Sequence, residues 1–390
     1  MKKLIAICAV LLFVAPAFAS DWAFYGSERM ATWYNSQDYK DYRVNGQDND
    51  AGTQWYLQSN TRFGAKVKAD KVTGQIELAT TASSTDSAAD GAVNTRRAYG
   101  TWKFSDNAWL KVGKDFSPIT DFISNQWYDA DNDMWGNGQF YGRRPQYIGL
   151  GIGNFEIAFL TPQQGNTGGI GSTTTGILTP VTNRATLAQT AVTGDPDVFF
   201  PKIEANYNLV FGAGYIKPFA GFQYYTVNSS APTQGVQDKI DLYSYVLGVS
   251  TNWNIGAFSI GGQLSYGQNE GLCNWYQGYN NFNQQLPILK TNGKNVYNAI
   301  DYQAMIVPAL KFTDTLRIEA GFGYRVDQAN GAVGYSQKDG SWVGYLQALI
   351  TLAPGVFLCP EVGYIDYMDS VSGDDQGYKW YAGAKWQIDF

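Results

Sequence analysis

The chain has 390 residues, of which 16% are charged and 15% aromatic, and it contains no histidine. A net charge of −6 excludes a nucleic-acid binder, which needs a basic surface, and the missing histidine removes the commonest general base of catalysis. After the N-terminal segment no run of about 18 apolar residues occurs, so no transmembrane helix is predicted.

The chain opens on an export signal. Lys2 and Lys3 form a basic start, Leu4 to Val14 is an apolar run too short to span a bilayer as a helix, and Ala17-Phe18-Ala19 is a small-x-small cleavage pattern. Cleavage after residue 19 leaves a single domain, 20–390, with 26 basic against 34 acidic residues, a net charge of −8.

Beyond the signal, alternating segments rich in Tyr, Trp, Phe, Val and Gly predict an all-β chain of about 16 strands. They fall at 22–35, 53–69, 72–80, 93–104, 108–116, 140–153, 155–162, 198–208, 214–227, 239–252, 256–268, 296–311, 315–327, 341–352, 356–368 and 378–390. Short turns such as Ser105-Asp106-Asn107, Gly153-Asn154 and Ala353-Pro354-Gly355 alternate with long connections at 36–52, 117–139, 163–197 and 269–295. That rhythm, with an even strand count, is the build of a transmembrane antiparallel β-barrel with short periplasmic turns and long extracellular loops.

Face polarity supports the same choice. In 53–69, Gln54, Gln58, Asn60, Arg62, Lys66 and Lys68 oppose Trp55, Leu57, Phe63, Ala65 and Val67. In 315–327, Arg317, Glu319 and Arg325 oppose Leu316, Ile318, Phe322 and Tyr324. A barrel of this size leaves an aqueous channel, so charged side chains are predicted to line water and apolar ones to face lipid. The first strand strains the pattern: Glu28 and Arg29 are neighbours, so one of them points outward. The last strand carries Tyr378, Trp380, Ala382, Ala384, Trp386, Ile388 and Phe390 on one face and ends on the aromatic.

Other motifs have plainer readings. Asp129-Ala130-Asp131-Asn132-Asp133 suggests calcium, but a helix-loop-helix site wants glycine and glutamate where Met134 and Phe140 stand, so only a loose calcium site remains open and no metal or cofactor is assigned. Tryptophans near strand ends read as interfacial anchors. Cys273 in an outer loop and Cys359 near an inner turn are too far apart to bridge, which predicts two free thiols.

The layout resembles the general diffusion porins of bacterial outer membranes, trimers of sixteen-stranded barrels. The resemblance lies in Phe24-Tyr25-Gly26-Ser27, in Leu110-Lys111-Val112-Gly113-Lys114-Asp115 before the third long loop, in Arg143-Arg144-Pro145-Gln146-Tyr147-Ile148 after it, and in terminal Phe390. It implies that loop 117–139 folds into the lumen, its Asp121, Asp129, Asp131 and Asp133 facing a basic wall of Arg62 and Arg97 with Arg29, Lys66 and Lys111. It also implies that Trp386 and Phe390 form the signal read by the barrel assembly machinery, and that the chain is a homotrimer.

The function expected is passive diffusion of ions and small hydrophilic solutes through a water-filled pore in the outer membrane of a Gram-negative bacterium, among its lipids and without chemistry. The −8 charge and the acidic loop favour cations. Arg317, Glu319 and Arg325 are further lumen charges. A substrate-selective channel of the same fold and a structural or adhesive barrel are the alternatives. An enzyme barrel is disfavoured by the absent histidine.

Overall fold

The structure, a computed structural model, describes residues 21–38, 50–80, 93–131, 133–162, 174–178, 191–193, 195–228, 239–275, 286–329, 338–369, 373 and 375–390. The predicted export signal, 1–19, lies outside the described residues, as does Asn132 of the acidic run.

Sixteen antiparallel strands close into one barrel. They are β1 (Asp21–Asp38), β2 (Asp50–Leu57 and Arg62–Ala69), β3 (Val72–Thr80), β4 (Val93–Ser105), β5 (Ala108–Lys114), β6 (Gln146–Ile152), β7 (Phe155–Leu160), β8 (Asp195–Asp197, Lys202–Tyr207 and Leu209–Phe211), β9 (Gly214–Asn228), β10 (Ile240–Ile255), β11 (Phe258–Gln268), β12 (Ala299–Lys311), β13 (Leu316–Ala329), β14 (Asp339–Ala353), β15 (Val356–Asp366) and β16 (Tyr378–Asp389). Each strand pairs with the next in sequence, and β1 pairs with β16 from Ser27↔Asp389 to Asp38↔Tyr378, which seals the cylinder. Closure leaves no unpaired edge, the condition for crossing hydrocarbon with strands. Among the described residues no helix is long and apolar enough to cross a membrane.

The seam is finished by the last residue. Gly26 and Phe390 exchange two backbone hydrogen bonds, at 2.7 and 3.1 Å. The Phe390 ring covers Gly26 so closely that an added Cβ would lie 2.4 Å from it, so any larger residue there would push the ring aside.

Outside, the barrel wears apolar side chains: Phe24 is 79% exposed, and Trp55, Ile148, Leu247, Leu264, Phe322, Leu346 and Trp386 follow the same face. Inside, the buried set includes Arg29, Glu77, Lys202, Glu204, Glu319, Arg325, Glu361 and Lys385. The neighbours Glu28 and Arg29 divide accordingly, Arg29 buried inside and Glu28 exposed outside.

Three strand predictions are corrected. The strand read as continuous over 53–69 is interrupted at Gln58–Thr61, where Thr61 N–H donates to the Gln58 carbonyl in a tight turn. Side-chain parity survives the break, so Tyr56 and Arg62 both point inward. The strand read as 140–153 begins only at Gln146, and the residues before it belong to the inward loop. The outer loops add a four-stranded sheet, Thr174–Leu178, Ala191–Thr193, Ile288–Leu289 and Val296–Tyr297; the last of these was read as the start of the wall strand 296–311, which begins only at Ala299.

Candidate channel constriction

Residues 115–145 leave the wall after β5 and cross the lumen before returning at β6. The crossing is fixed by donors and acceptors on the far wall. Asn125 donates its backbone N–H (2.9 Å) and Nδ2 (2.8 Å) to Glu319, and the Trp127 and Tyr128 N–H groups donate to Glu361 at 2.6 and 3.1 Å. Gln126 Nε2 donates to the Tyr381 hydroxyl at 2.8 Å, and Tyr381 stacks on Tyr128 with ring centroids 3.6 Å apart. Wall glycine lets the loop lie flat: a Cβ at Gly323 would sit 1.8 Å from the Asn137 carbonyl oxygen. At the tip Asp129, Asp131, Asp133 and Met134 all have positive φ, between 54° and 57°. Such backbone costs on the order of 1–3 kcal/mol per residue and persists where its surroundings over-determine it.

Asp131 supplies that restraint. Its carboxylate accepts from Arg29 of β1, from Asn60 Nδ2 of the β2 break at 2.8 Å, and lies 3.2 Å from Lys385 Nζ of β16. Burial works to raise its pKa, but Lys385 and Arg29 outweigh burial and hold it below the usual carboxylate range. Gln58 Nε2 donates to the Asp129 carbonyl at 2.8 Å, so the interruption of β2 is the socket that receives the loop tip.

Between the loop and the β1–β6 wall remains a cavity of about 710 Å³. Its cationic lining is Arg29 and Lys385, already engaged by Asp131, together with Arg62, Arg96, Lys114, Arg143 and Arg144; its carboxylates are only Asp131 and Asp133. Glu77, buried on the inner face of β3, serves Arg96 at 3.0 Å and Arg62 at 3.9 Å. The lining is therefore net positive among the described residues. The Asp133 carboxyl is pushed well above its usual range, chiefly by burial and then by Asp131 beside it. On the loop side a run of rings, Phe116–Phe122–Tyr141–Trp135, has successive centroids 5.1 to 5.7 Å apart. Arg144 and Arg97 lie 5.3 and 5.2 Å from the Phe116 ring.

No family model matches the sequence, and no curated protein matches it either. Solved structures do match across almost the whole chain. The outer membrane channel DcaP of Acinetobacter baumannii is 15% identical, with a TM-score of 0.67 over 96% of this chain and 99% of that one. The anion-selective porin from Comamonas acidovorans is 10% identical, TM-score 0.57, over 95% and 100%. OmpF of Salmonella typhi, solved with daunomycin, is 12% identical, TM-score 0.55, over 94% and 97%. The chain has the outer-membrane porin fold.

In this porin barrel the sequence-derived site residues separate into groups. Arg29, Arg62, Asp131 and Asp133 meet at the cavity. Asp121 does not: it accepts from Tyr215 (2.9 Å) and from Ser250 on the opposite wall, fastening the loop stem. Asp129 is also turned away, accepting from the Tyr56 hydroxyl at 2.7 Å. Arg97, Lys111 and Lys66 lie off the cavity. Arg97 (2.6 Å) and Lys111 (3.0 Å) both bind Asp115, and Lys66 sits over Tyr25 on the side of the short turns. Glu319 anchors the loop, with Arg317 2.8 Å from it, and Arg325 pairs with Asp301 and Asp327. Trp386 and Phe390 are exposed on the outer face.

The residues that sequence reasoning missed have identifiable causes. A bulge between Glu77 and Leu78 places Arg96 opposite no residue, so Arg96 and Arg97 both face inward, against strict alternation. Arg143 and Arg144 stand on the loop's return limb, in a segment predicted as strand. Lys385 alternates with the apolar residues of the last strand, but its pairing with the loop acid Asp131 leaves no mark in the sequence. Cys273 and Cys359 are both buried and free.

Proposed function

We propose that this chain is a diffusion channel of a Gram-negative outer membrane, exported by residues 1–19, assembled as one barrel per subunit of a trimer, and passing small hydrophilic solutes without chemical change. The observation that carries the reading is a closed barrel with an apolar exterior whose inward loop leaves a charged aqueous gap against one wall. Fixed charge in a narrow gap with low-dielectric walls acts strongly on passing ions.

The sign of selectivity is proposed as anionic, against the expectation from net charge. What governs permeation is the constriction, and there Arg62, Arg96, Lys114, Arg143 and Arg144 outnumber the acids. The ring series on the loop favours the second reading, a channel selective among anions, because a solute with an apolar face can stack there while its charge meets the guanidinium groups. Reversal potentials of purified protein in a salt gradient across a planar bilayer test the sign. Anion preference is expected, and cation preference rejects the assignment.

The same measurement has a predicted pH dependence. A raised carboxyl is neutral below its shifted pKa and charged above it, so Asp133 adds negative charge as pH rises. Anion preference is expected to fall with rising pH in the native chain and to be flatter in Asp133→Asn. A slope unchanged by that substitution removes Asp133 from the gap.

A further inference from the structure

The glycine run of β6 shapes the wall on the short-turn side of the constriction. Gly149 and Gly151 share the inner face with Lys111 and Trp109, their partners on β5. Two rings lie across them: a Cβ at Gly151 would sit 2.1 Å from the Trp109 indole, and one at Gly149 would sit 2.9 Å from the Tyr147 ring. Across the inner face runs a row in which each residue stands directly opposite the next: Lys103 of β4, Trp109 of β5, Gly151 of β6, Glu156 of β7 and Asn206 of β8. Gly151 leaves its place in that row empty, so the indole covers it and turns its other face to the lumen, beside the short turn that precedes β5.

Charge of both signs rims this platform. Lys111 Nζ stands 5.5 Å from the Trp109 ring centre and 6.0 Å from that of Tyr147. Lys111 shares Asp115 with Arg97, at 3.0 and 2.6 Å, so one carboxylate serves two cations. Lys103, at the near end of the row, is exposed and pairs with no carboxylate among the described residues. At the far end Glu156 is half-buried and accepts from Asn206 Nδ2 at 3.2 Å, and no cation pairs with it among the described residues. Neighbouring strands lie about 4.8 Å apart, so Lys103 and Glu156 are roughly 14 Å apart at the backbone, which leaves room for one sugar-sized ring between their side chains.

These groups discriminate between solutes. A flat indole flush with the wall takes either an arene or the apolar C–H face of a pyranose, both of which meet its negative π-face. The ammonium groups of Lys111 and Lys103 take a carboxylate. Glu156 decides between the two: an ionised carboxylate only accepts hydrogen bonds, so it repels an aryl acid without donors and is satisfied by the hydroxyl groups of a sugar.

We propose that Trp109, Tyr147, Lys111, Lys103 and Glu156 form a second solute site, in the inner vestibule, which takes an acidic sugar: a pyranose carrying one carboxylate. The C–H face lies on Trp109, the carboxylate meets Lys111 and Lys103, and the hydroxyls donate to Glu156. The inference rests on the channel reading, which delivers an anion from the cationic gap, and it gives that anion a chemical class.

Glucuronate is the probe, with glucose as the neutral sugar and benzoate as the aryl acid. Each is titrated against detergent-solubilised full-length barrel and followed by saturation-transfer NMR of the small molecule. Glucuronate is expected to bind on the order of tenfold more tightly than either control. Trp109→Leu and Lys111→Gln are each expected to weaken it by a similar factor. Lys111→Gln is also expected to leave the weaker glucose binding unchanged, which a collapsed wall would not do. Gly151→Ala, whose methyl group would lift the indole off the wall, serves should Trp109→Leu not insert. Equal glucuronate affinity in the native chain and the variants overturns the site, and benzoate or glucose binding as tightly as glucuronate overturns the assigned class. Binding in detergent needs no conduction, so the two readings fail separately. A barrel that holds glucuronate but passes no ions keeps the site and rejects the channel; one that conducts without holding glucuronate keeps the channel and rejects the site.

Discussion

Replacing Arg62, Arg96, Arg143 and Arg144 by glutamine is expected to abolish the anion preference and carry the channel to cation selectivity, a change in permeability ratio on the order of tenfold or more. The effect is large because the substitution also uncovers acid. Arg62 and Arg96 are the partners of Glu77, which is buried directly behind them. With both removed, Glu77 keeps only the Tyr25 hydroxyl, which donates to it at 2.9 Å, and its charge is no longer offset on that wall. Arg143 and Arg144 have no carboxylate partner at the cavity among the described residues, so their charge is fully available to a passing ion. Single substitutions separate the contributions: Arg144→Gln costs positive charge only, whereas Arg96→Gln costs positive charge and releases part of Glu77. Reversal potentials in a salt gradient measure each. Arg97→Gln is expected to do less, since Arg97 lies off the cavity and is bound to Asp115 at 2.6 Å.

Asp131→Asn is expected to have the largest effect on the loop itself. The native carboxylate holds Arg29, Lys385 and Asn60 together at a tip whose backbone is strained at Asp129, Asp131, Asp133 and Met134. Neutralising it leaves Arg29 and Lys385 as like charges at one buried point. Removing one partner of a buried ion pair typically costs about 3–5 kcal/mol, comparable with the strain the tip stores. The loop should therefore detach at its tip while Glu319 and Glu361 keep hold of its middle. Open-channel current noise and mean conductance both rise, and anion preference strengthens because Arg29 and Lys385 are no longer neutralised. A variant that conducts quietly at native amplitude contradicts the role given to Asp131.

The barrel was legible in the sequence because its physics is periodic. Alternation along a strand, short turns alternating with long connections, and a last strand ending on Phe390 are each set by strand geometry and a two-solvent environment, and the strand positions follow from them within a few residues. The constriction was legible only where function and alternation agree. Arg62 could be placed because parity sends it to the polar face of its strand, whereas Arg29, Asp131 and Asp133 were placed by the resemblance to the general diffusion porins. Arg96 could not, since a bulge breaks parity without a mark in the sequence. Asp121 and Asp129 look identical to Asp131 in sequence, yet Tyr215 and Ser250 bind the first and Tyr56 the second, contacts between residues far apart in the chain. The net charge of −6 points to the opposite sign from the one proposed, because it sums the whole chain, whereas an ion responds to the few charges beside the cavity.

On the proposed reading Arg62 faces the water that fills the gap between wall and loop. Arg62→Cys, in a chain whose two native cysteines are replaced by serine, can be modified during single-channel recording by a water-soluble, charged methanethiosulfonate reagent. Stepwise loss of current is predicted, with a negatively charged adduct reducing anion preference and a positively charged one restoring it. Unaltered current and selectivity, with the adduct confirmed by mass spectrometry, would contradict the account.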